Sequence, residues 1–540
     1  MRGLVLLLLI GCTGLPPERG TDGTDGTDGT DHTDTDWVEE GWRSALYPRD
    51  WEPTFTDSSG AFLHDFSYAG YRNGEEPAVR EGPVFNVLDQ GADATGATDS
   101  TAQIQAALDA ASVDGGVVLL PAGTYRVDDR LFLRASNVVI RGAGPDQTRL
   151  AFTKVDAMTD RAHLTIGGRT TFGTDLPLTA DAEARTTTVQ VADTTGLEAG
   201  MDVALGWVIT DDFVQAHDMA GTWKQFNGTW RPFFRRTVVS VSGNSVTLDV
   251  PVRYLAKMSD SASLRVESGI IREVGVEDLS VSTKAPWYDA WANDRSHAID
   301  LIGVADGWIT GLGSFDHGLV DEPERGERHL QSGGIKILDS KRVTVANASL
   351  RLAQNRGGGG NGYLFEISRS SEILTRDSVA EGGRHNFIQN WDFGTSGCVW
   401  LRTASSGGYA ATSPSGGFGQ RGLSEFHHSL AMANLIEDSV IDDGWAAVNR
   451  GSYSSGAGHS ATQSVFYNNR GEGEIRSFQA GLGYIIGTDG LTIRASLDDF
   501  DPFRWSVGSA PEDWMEGIDE AEDLVPKSLY EDMRKRRLGG

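Results

Sequence analysis

Residues 115–127 read Gly115-Gly116-Val117-Val118-Leu119-Leu120-Pro121-Ala122-Gly123-Thr124-Tyr125-Arg126-Val127. That is a two-glycine stop followed by strand, turn and strand. Just upstream, Asp89-Gln90-Gly91-Ala92-Asp93-Ala94-Thr95-Gly96-Ala97-Thr98-Asp99-Ser100 is a loop built of turn formers. Between loop and stop, Ile104, Ala107, Leu108 and Ala111 recur at helical spacing, with Asp99 or Ser100 as the N-cap. Downstream, Leu131 with Leu133 and Val138 with Ile140 are short apolar pairs, and Gly142-Ala143-Gly144 makes a turn. One helix is therefore followed by strands only.

Further out, the same short pairs recur about every 20–35 residues between Gly, Ser, Asn and Asp, as a stacked repeat requires. They include Val274-Gly275-Val276 with Leu279-Ser280-Val281, Ile299-Asp300-Leu301, Ile335-Lys336-Ile337 and Phe365-Glu366-Ile367. Phe387-Ile388, Val399-Trp400-Leu401, Leu435-Ile436 and Val465-Phe466 follow. Alternation sends one side chain inward and the next outward.

Taken in order, loop, helix, glycine stop and hairpin resemble the N-terminal cap of the pectate-lyase superfamily. The resemblance covers about 60 residues. It implies an all-β chain, a right-handed parallel β-helix whose N-terminal helix caps the open end and shields an unpaired edge. It says little about chemistry, because this fold carries lyases, hydrolases, epimerases and phage adhesins.

Residues 175–268 interrupt the repeats. Thr186 to Val191, Asp202 to Leu205, Thr237 to Val241 and Ser245 to Leu248 read as antiparallel strands of an inserted small β domain. Its aromatics Trp223, Phe226, Trp230, Phe233 and Phe234 lie among Lys224, Arg231, Arg235 and Arg236. They either stack on an acidic sugar or pack the insert against the rungs. The expected order is a signal peptide 1–12, a linker 13–36, an extension 37–82 wrapping the outside and cap with first rungs 83–174. The insert 175–268, the main rungs 269–500 and a tail 501–540 with a short helix complete it.

The start is an address. Met1-Arg2-Gly3 is basic, Leu4 to Ile10 is apolar, and Leu9-Ile10-Gly11-Cys12 resembles a bacterial lipobox with Cys12 as the lipidated residue. Seven apolar residues are too few to span a bilayer. Thr13 after the cysteine resembles lipoproteins sent to the outer membrane, so an exported, lipid-anchored location at the outer membrane or cell surface is expected. The Thr-Asp-Gly repeats that follow have no apolar residue to bury and read as a charged spacer. With Cys12 lipidated, Cys398 has no intrachain partner.

The formal charge of −29 excludes nucleic acid as a partner and requires that an acidic polysaccharide meet a locally basic cleft or bridging cations. The membrane is touched only through the anchor, and a monomer is expected. Neither an Asn-Thr-Asp, Gly-His-Gly, Arg-Ile-Lys set nor an Arg-x-Pro-x-x-Arg motif is present, so chemistry must be sought in the densest polar region, 355–450.

There Arg384, His385, His427 and His428 sit near the starts of rungs separated by one other, where stacking brings positions to about 5 Å per layer. Elimination on a uronate polymer needs the carboxylate neutralised, the C5 proton removed and the leaving oxygen protonated. Arg384 or Arg402, helped by Asn386 or Asn434, is assigned to neutralise; His385 or His427 is the base; Tyr363 or His428 is the acid. Trp391 and Arg356 complete the expected substrate contacts. A second candidate group is His297 and His317 with Asp294, Arg295 and Asp316. An inverting hydrolase would use a carboxylate pair such as Asp442 with Asp443 or Glu437 with Asp438, and a surface adhesin would need no catalyst. Calcium stays open as a cofactor: Asp is abundant, but no loop spells an EF-hand and no His or Cys spacing points to zinc.

Overall fold

The computed structural model describes residues 40–77, 80–224, 226–415, 419–496, 498–500 and 511–539. The expected signal peptide with Cys12, and the 13–36 linker, lie outside them.

A helix forms at Thr101–Asp114 and buries Ile104, Ala107, Leu108 and Ala111. Ser100 stands at its N-cap position without capping; Asp99 Oδ1 instead accepts from the Thr101 amide at 3.0 Å. Gly115 ends it at φ +81, where a Cβ would press on the Asn137 carbonyl at 2.7 Å. Beyond the stop, strands stack in parallel. One wall runs Leu131–Leu133, Ala162–Gly167, His297–Ile302, Gly333–Leu338, Tyr363–Ser368 and His385–Gln389, then Ser424–Phe426, Trp445–Ala447, Glu474–Ser477 and Thr492–Arg494. A second wall stacks Val304–Ser314, Lys341–Ala346, Leu374–Arg376, Val399–Leu401, Leu435–Glu437, Val465–Arg470 and Tyr484–Asp489. Parallel neighbours need a crossover, and each wall supplies the crossover for the other. The result is the right-handed parallel β-helix.

Register fills the interior with like on like. Ile299, Ile335, Phe365 and Phe387 are successive partners. Phe365 meets Phe387 at 5.0 Å, and Phe387 stacks on Trp445 at 6.0 Å and 11°. Trp445 is fully buried. Trp445→Ala is expected to lower unfolding free energy by about 3–5 kcal/mol, read from denaturant midpoints at unchanged slope.

Leu164 pairs with Ile299, so the insert leaves the coil and returns without breaking the stack. Its antiparallel sheet orders Thr188–Gln190, Ser245–Leu248, Trp230–Ser242, Asp202–Val208 and Ser263–Ser268. Of its two offered roles, the aromatics take packing. Trp223, Phe226, Phe233 and Phe234 are buried, Trp207 stacks on Phe233 at 3.6 Å, and Trp223 meets Phe393 of the coil at 5.1 Å. Trp230 lies under Arg265. Buried Arg253 fixes the insert to the coil through Glu372, at 2.7 Å.

Leu46, Tyr47, Trp51, Leu63 and Phe66 of the extension pack with Leu529, Tyr530 and Met533 of the C-terminal helix Leu529–Leu538 on the wall bearing Val399, Leu435 and Tyr467. Glu437 receives that helix: its side-chain carboxyl oxygens accept from Ser528 Oγ at 2.6 Å and the Leu529 amide at 2.7 Å.

Candidate active site

The first wall carries a row of charge on its outer face. Asp300 pairs in register with Lys336, and Lys336 with Glu366. Each is the polar middle of an apolar–charged–apolar triplet, so inward packing of its neighbours forces it outward. Glu366 is a hub: His297 Nε2 lies 3.0 Å away, Asn390 Nδ2 donates at 3.0 Å, and Lys336 Nζ stands at 3.9 Å. Burial pushes the Glu366 carboxyl up, but Lys336 and His297 overcome this and hold it well below the usual range. Glu366 in turn raises Lys336. Asp300, fully enclosed, is raised by burial.

A cleft of about 530 Å³ opens over this row. Four cations line it, Arg295, Lys336, Arg369 and Arg384, against two carboxylates, Asp160 and Glu366. Arg295 is held by Asp160 and Arg369 by Asp339. Arg384 differs: it donates to the Gly357 carbonyl at 3.1 Å, and among the described residues no carboxylate lies within 4 Å of it. The cleft is thus locally basic, with one guanidinium free of a counter-ion among the described residues.

Behind Arg384 stands Tyr363, which pairs in register with His385. The Arg384 guanidinium lies 6.0 Å from the Tyr363 ring centre. The Tyr363 ring is 5.2 Å from His385 and 6.0 Å from His427, and the two imidazoles are 5.4 Å apart. Burial raises the phenol above its ordinary range, so it keeps its proton. Glu425 sits between the imidazoles, bonded to His427 Nδ1 and 3.3 Å from His385 Nε2. Burial raises its carboxyl, but Arg450, His385 and His427 outweigh that and keep it ionised. Burial, then Arg450, pushes His427 down to about 3. A neutral His427 with its Nδ1 proton on Glu425 leaves Nε2 as the acceptor, 3.4 Å from Ser454 Oγ. Glu425, His427 and His385 are also the described groups whose ligating atoms are close enough to hold a metal ion.

The sequence candidates divide. Tyr363, Arg384, Trp391 and His427 line the cleft, and His385 stands directly behind it. His428 is buried beneath the half-exposed Trp391, at 4.5 Å, and bonds Ser454 O; it supports the rim and does not reach the lining. Arg356 lies over Tyr409 outside the cleft lining. Three assignments are corrected. Asn386 points into the coil, donating to Asp443 and the Ser406 carbonyl. Asn434 also points inward, accepting from the Cys398 amide. Arg402 emerges on the other wall and pairs with Asp377 and Glu531 of the terminal helix. Asn386 sits at the start of a strand and Arg402 and Asn434 at rung turns, where a polar side chain can go in or out and spacing alone does not say which.

The second group also splits. His297 joins through Glu366 and Arg295 lines the cleft, whereas His317 bonds the Lys284 carbonyl and Asp316 pairs with Lys284. Asp294 accepts from Asn361. Neither offered carboxylate pair faces the cleft: Glu437 caps the terminal helix, Asp438 pairs with Arg470, Asp443 is tied to Asn386, and Asp442 accepts from the Glu472 amide. Residues given no role from the sequence are Lys336, Glu366, Arg369, Asn390, Arg450 and Glu425, the last of which falls within the polar stretch next to His427. The repeated triplets Ile299-Asp300-Leu301, Ile335-Lys336-Ile337 and Phe365-Glu366-Ile367 were a readable signal for two of them.

Capping helix and in-register rungs define a right-handed parallel β-helix with a cleft on its outer face. A family model described as rhamnogalacturonase A/epimerase, pectate lyase-like, matches residues 84–212. A stretch of 71 residues is 52% identical to mannuronan C5-epimerase AlgE3 of Azotobacter vinelandii, covering 12% of this chain and 4% of that protein. Over a stretch of the same length, alginate lyase 7 of the same organism is 48% identical, covering 12% of this chain and 8% of that one. The chain thus spans less than a tenth of the length of these curated relatives. Among solved structures, the Gp54 tailspike of Acinetobacter baumannii bacteriophage AP22, in complex with a capsular saccharide, aligns over 87% of this chain and 73% of its own at 12% identity and a TM-score of 0.44.

Proposed function

We propose that this protein is an exported, lipid-anchored enzyme that cleaves a uronate-containing polysaccharide by β-elimination. One observation carries the reading: a cationic cleft in a strongly acidic protein, with Arg384 lacking a counter-ion beside a tyrosine and a carboxylate-backed histidine. Arg384 neutralises the C5 carboxylate, making the C5 proton more acidic. His427 Nε2 takes that proton while Glu425 stabilises the imidazolium formed. The electron pair makes the C4–C5 double bond, the C4–O4 bond breaks, and the Tyr363 hydroxyl protonates O4. Trp391 offers a sugar-stacking face at the rim.

Mixing the purified protein with polyuronates and with neutral glycans tests this. Ultraviolet absorbance from unsaturated ends should rise only with the uronates; new reducing ends without it would mean hydrolysis, and binding without either would mean an adhesin. Arg384→Ala is expected to lower kcat/KM on the uronate roughly 10- to 100-fold, the value of a hydrogen bond to a charged group. The stretch shared with a protein named as an epimerase supports a second reading, in which the C5 carbanion is reprotonated instead. Deuterium entering the polymer from heavy water without chain cleavage would favour it.

A further inference from the structure

We propose that His385, Glu425 and His427 form a binding site for one divalent transition-metal ion, zinc in preference to calcium. All three side chains are buried, and their ligating atoms lie within 4.8 Å of one another. The decisive feature is His385. Its Nδ1 is bonded to the Leu423 carbonyl, which fixes the proton there and leaves a lone pair on Nε2. That Nε2 is buried with no hydrogen-bond partner, and it faces Glu425 Oε1 at 3.3 Å. Two acceptors aimed at each other repel unless a cation stands between them.

The separation suits such an ion. Ligands about 2.0–2.2 Å from tetrahedral zinc lie roughly 3.3 Å from one another. A histidine whose second nitrogen donates to a backbone carbonyl is the usual outer-shell support for a metal ligand. The closer Glu425–His427 contact has to open as the ion enters. Two imidazoles and one carboxylate select zinc and its neighbours over calcium, which takes six to eight oxygens. One group opposes the site: Arg450 Nη2 stands 3.9 Å from Glu425 Oε1.

Binding has a consequence that rests on the proposed elimination. An ion on His427 Nδ1 displaces that proton and leaves Nε2 as N–H, so His427 cannot take a proton from C5. Zinc therefore acts as an off-switch for the base.

The test is calorimetric titration of the chelator-stripped full chain with zinc chloride and, separately, calcium chloride. One equivalent of zinc is expected to bind, more tightly than calcium. Glu425→Gln and His385→Ala should each weaken it by about tenfold or more, while Tyr363→Phe should leave it unchanged. Arg450→Gln, which removes no ligand, should tighten it, and keeps the test open if the ligand variants fail to fold. No stoichiometric zinc, equal binding in both ligand variants, unchanged affinity in Arg450→Gln, or a preference for calcium overturns the site. Zinc binding without any product from polyuronates would sink the lyase reading alone, and activation by zinc would sink only the base role of His427.

Discussion

Tyr363→Phe is expected to lower turnover on a uronate polymer by about 10²–10⁴-fold, the range for losing a positioned acid, with KM nearly unchanged. The ring stays packed against His385 and His427, so the cleft keeps its shape. Among the described residues no protein group is hydrogen-bonded to the hydroxyl, so removing it orphans nothing, and stability should shift by no more than about 1 kcal/mol. The loss therefore reports chemistry rather than folding. Single-turnover rates with wild type and variant separate the two, and a variant eliminating at the wild-type rate would remove Tyr363 from the mechanism.

Acid should destabilise the protein well above the range where carboxylates titrate. Away from the cleft, His64 and His163 are pushed down to about 3 and His459 to about 4, each chiefly by burial. The sign follows from the unfolded value near 6.5. As pH falls below it, the unfolded chain binds protons that the folded chain refuses until about pH 3–4. The stabilisation is complete above about pH 6.5 and is lost steadily down to pH 4. At pH 5 each histidine has lost about 2 kcal/mol, and the three together about 6. Asp513, raised by burial to about 6, and Glu437, raised to about 8, act in the opposite direction and return about 3–4 kcal/mol over the same range, so the net loss from these five groups is about 2–3 kcal/mol.

His163→Phe isolates one share of that effect. His163 is fully buried 5.1 Å from Phe152, and the Gln331 side chain is its one polar neighbour among the described residues, at no better than a poor hydrogen-bond geometry, so phenylalanine keeps the ring packing. Unfolding free energies at pH 7.5 and pH 5 should fall about 2 kcal/mol less in the variant than in wild type. Equal drops would show that His163 is already charged in the folded chain.

Local sequence determined the architecture. The helix at Thr101–Asp114, the stop at Gly115 and the apolar pairs repeat chemistry that acts within a few residues, and each has one low-energy local outcome. The helical end, Leu529–Leu538, was legible for the same reason. The charged row was half legible. An isolated Lys336 between Ile335 and Ile337 must face out, but only register shows that Asp300 and Glu366 flank it.

What only the tertiary structure decided is which way each turn residue points and what it meets. Asn386 and Asn434 turned inward to satisfy buried backbone and side chains, and Arg402 was claimed by Asp377 and Glu531, the latter 129 residues away in sequence. Glu425 became the centre of the histidine pair because Ile388 and Glu425 are register partners on successive coils, 37 residues apart in sequence. Loop length is nearly free of energetic cost while register is not, so neighbours along the helix axis are set by packing that no local pattern records.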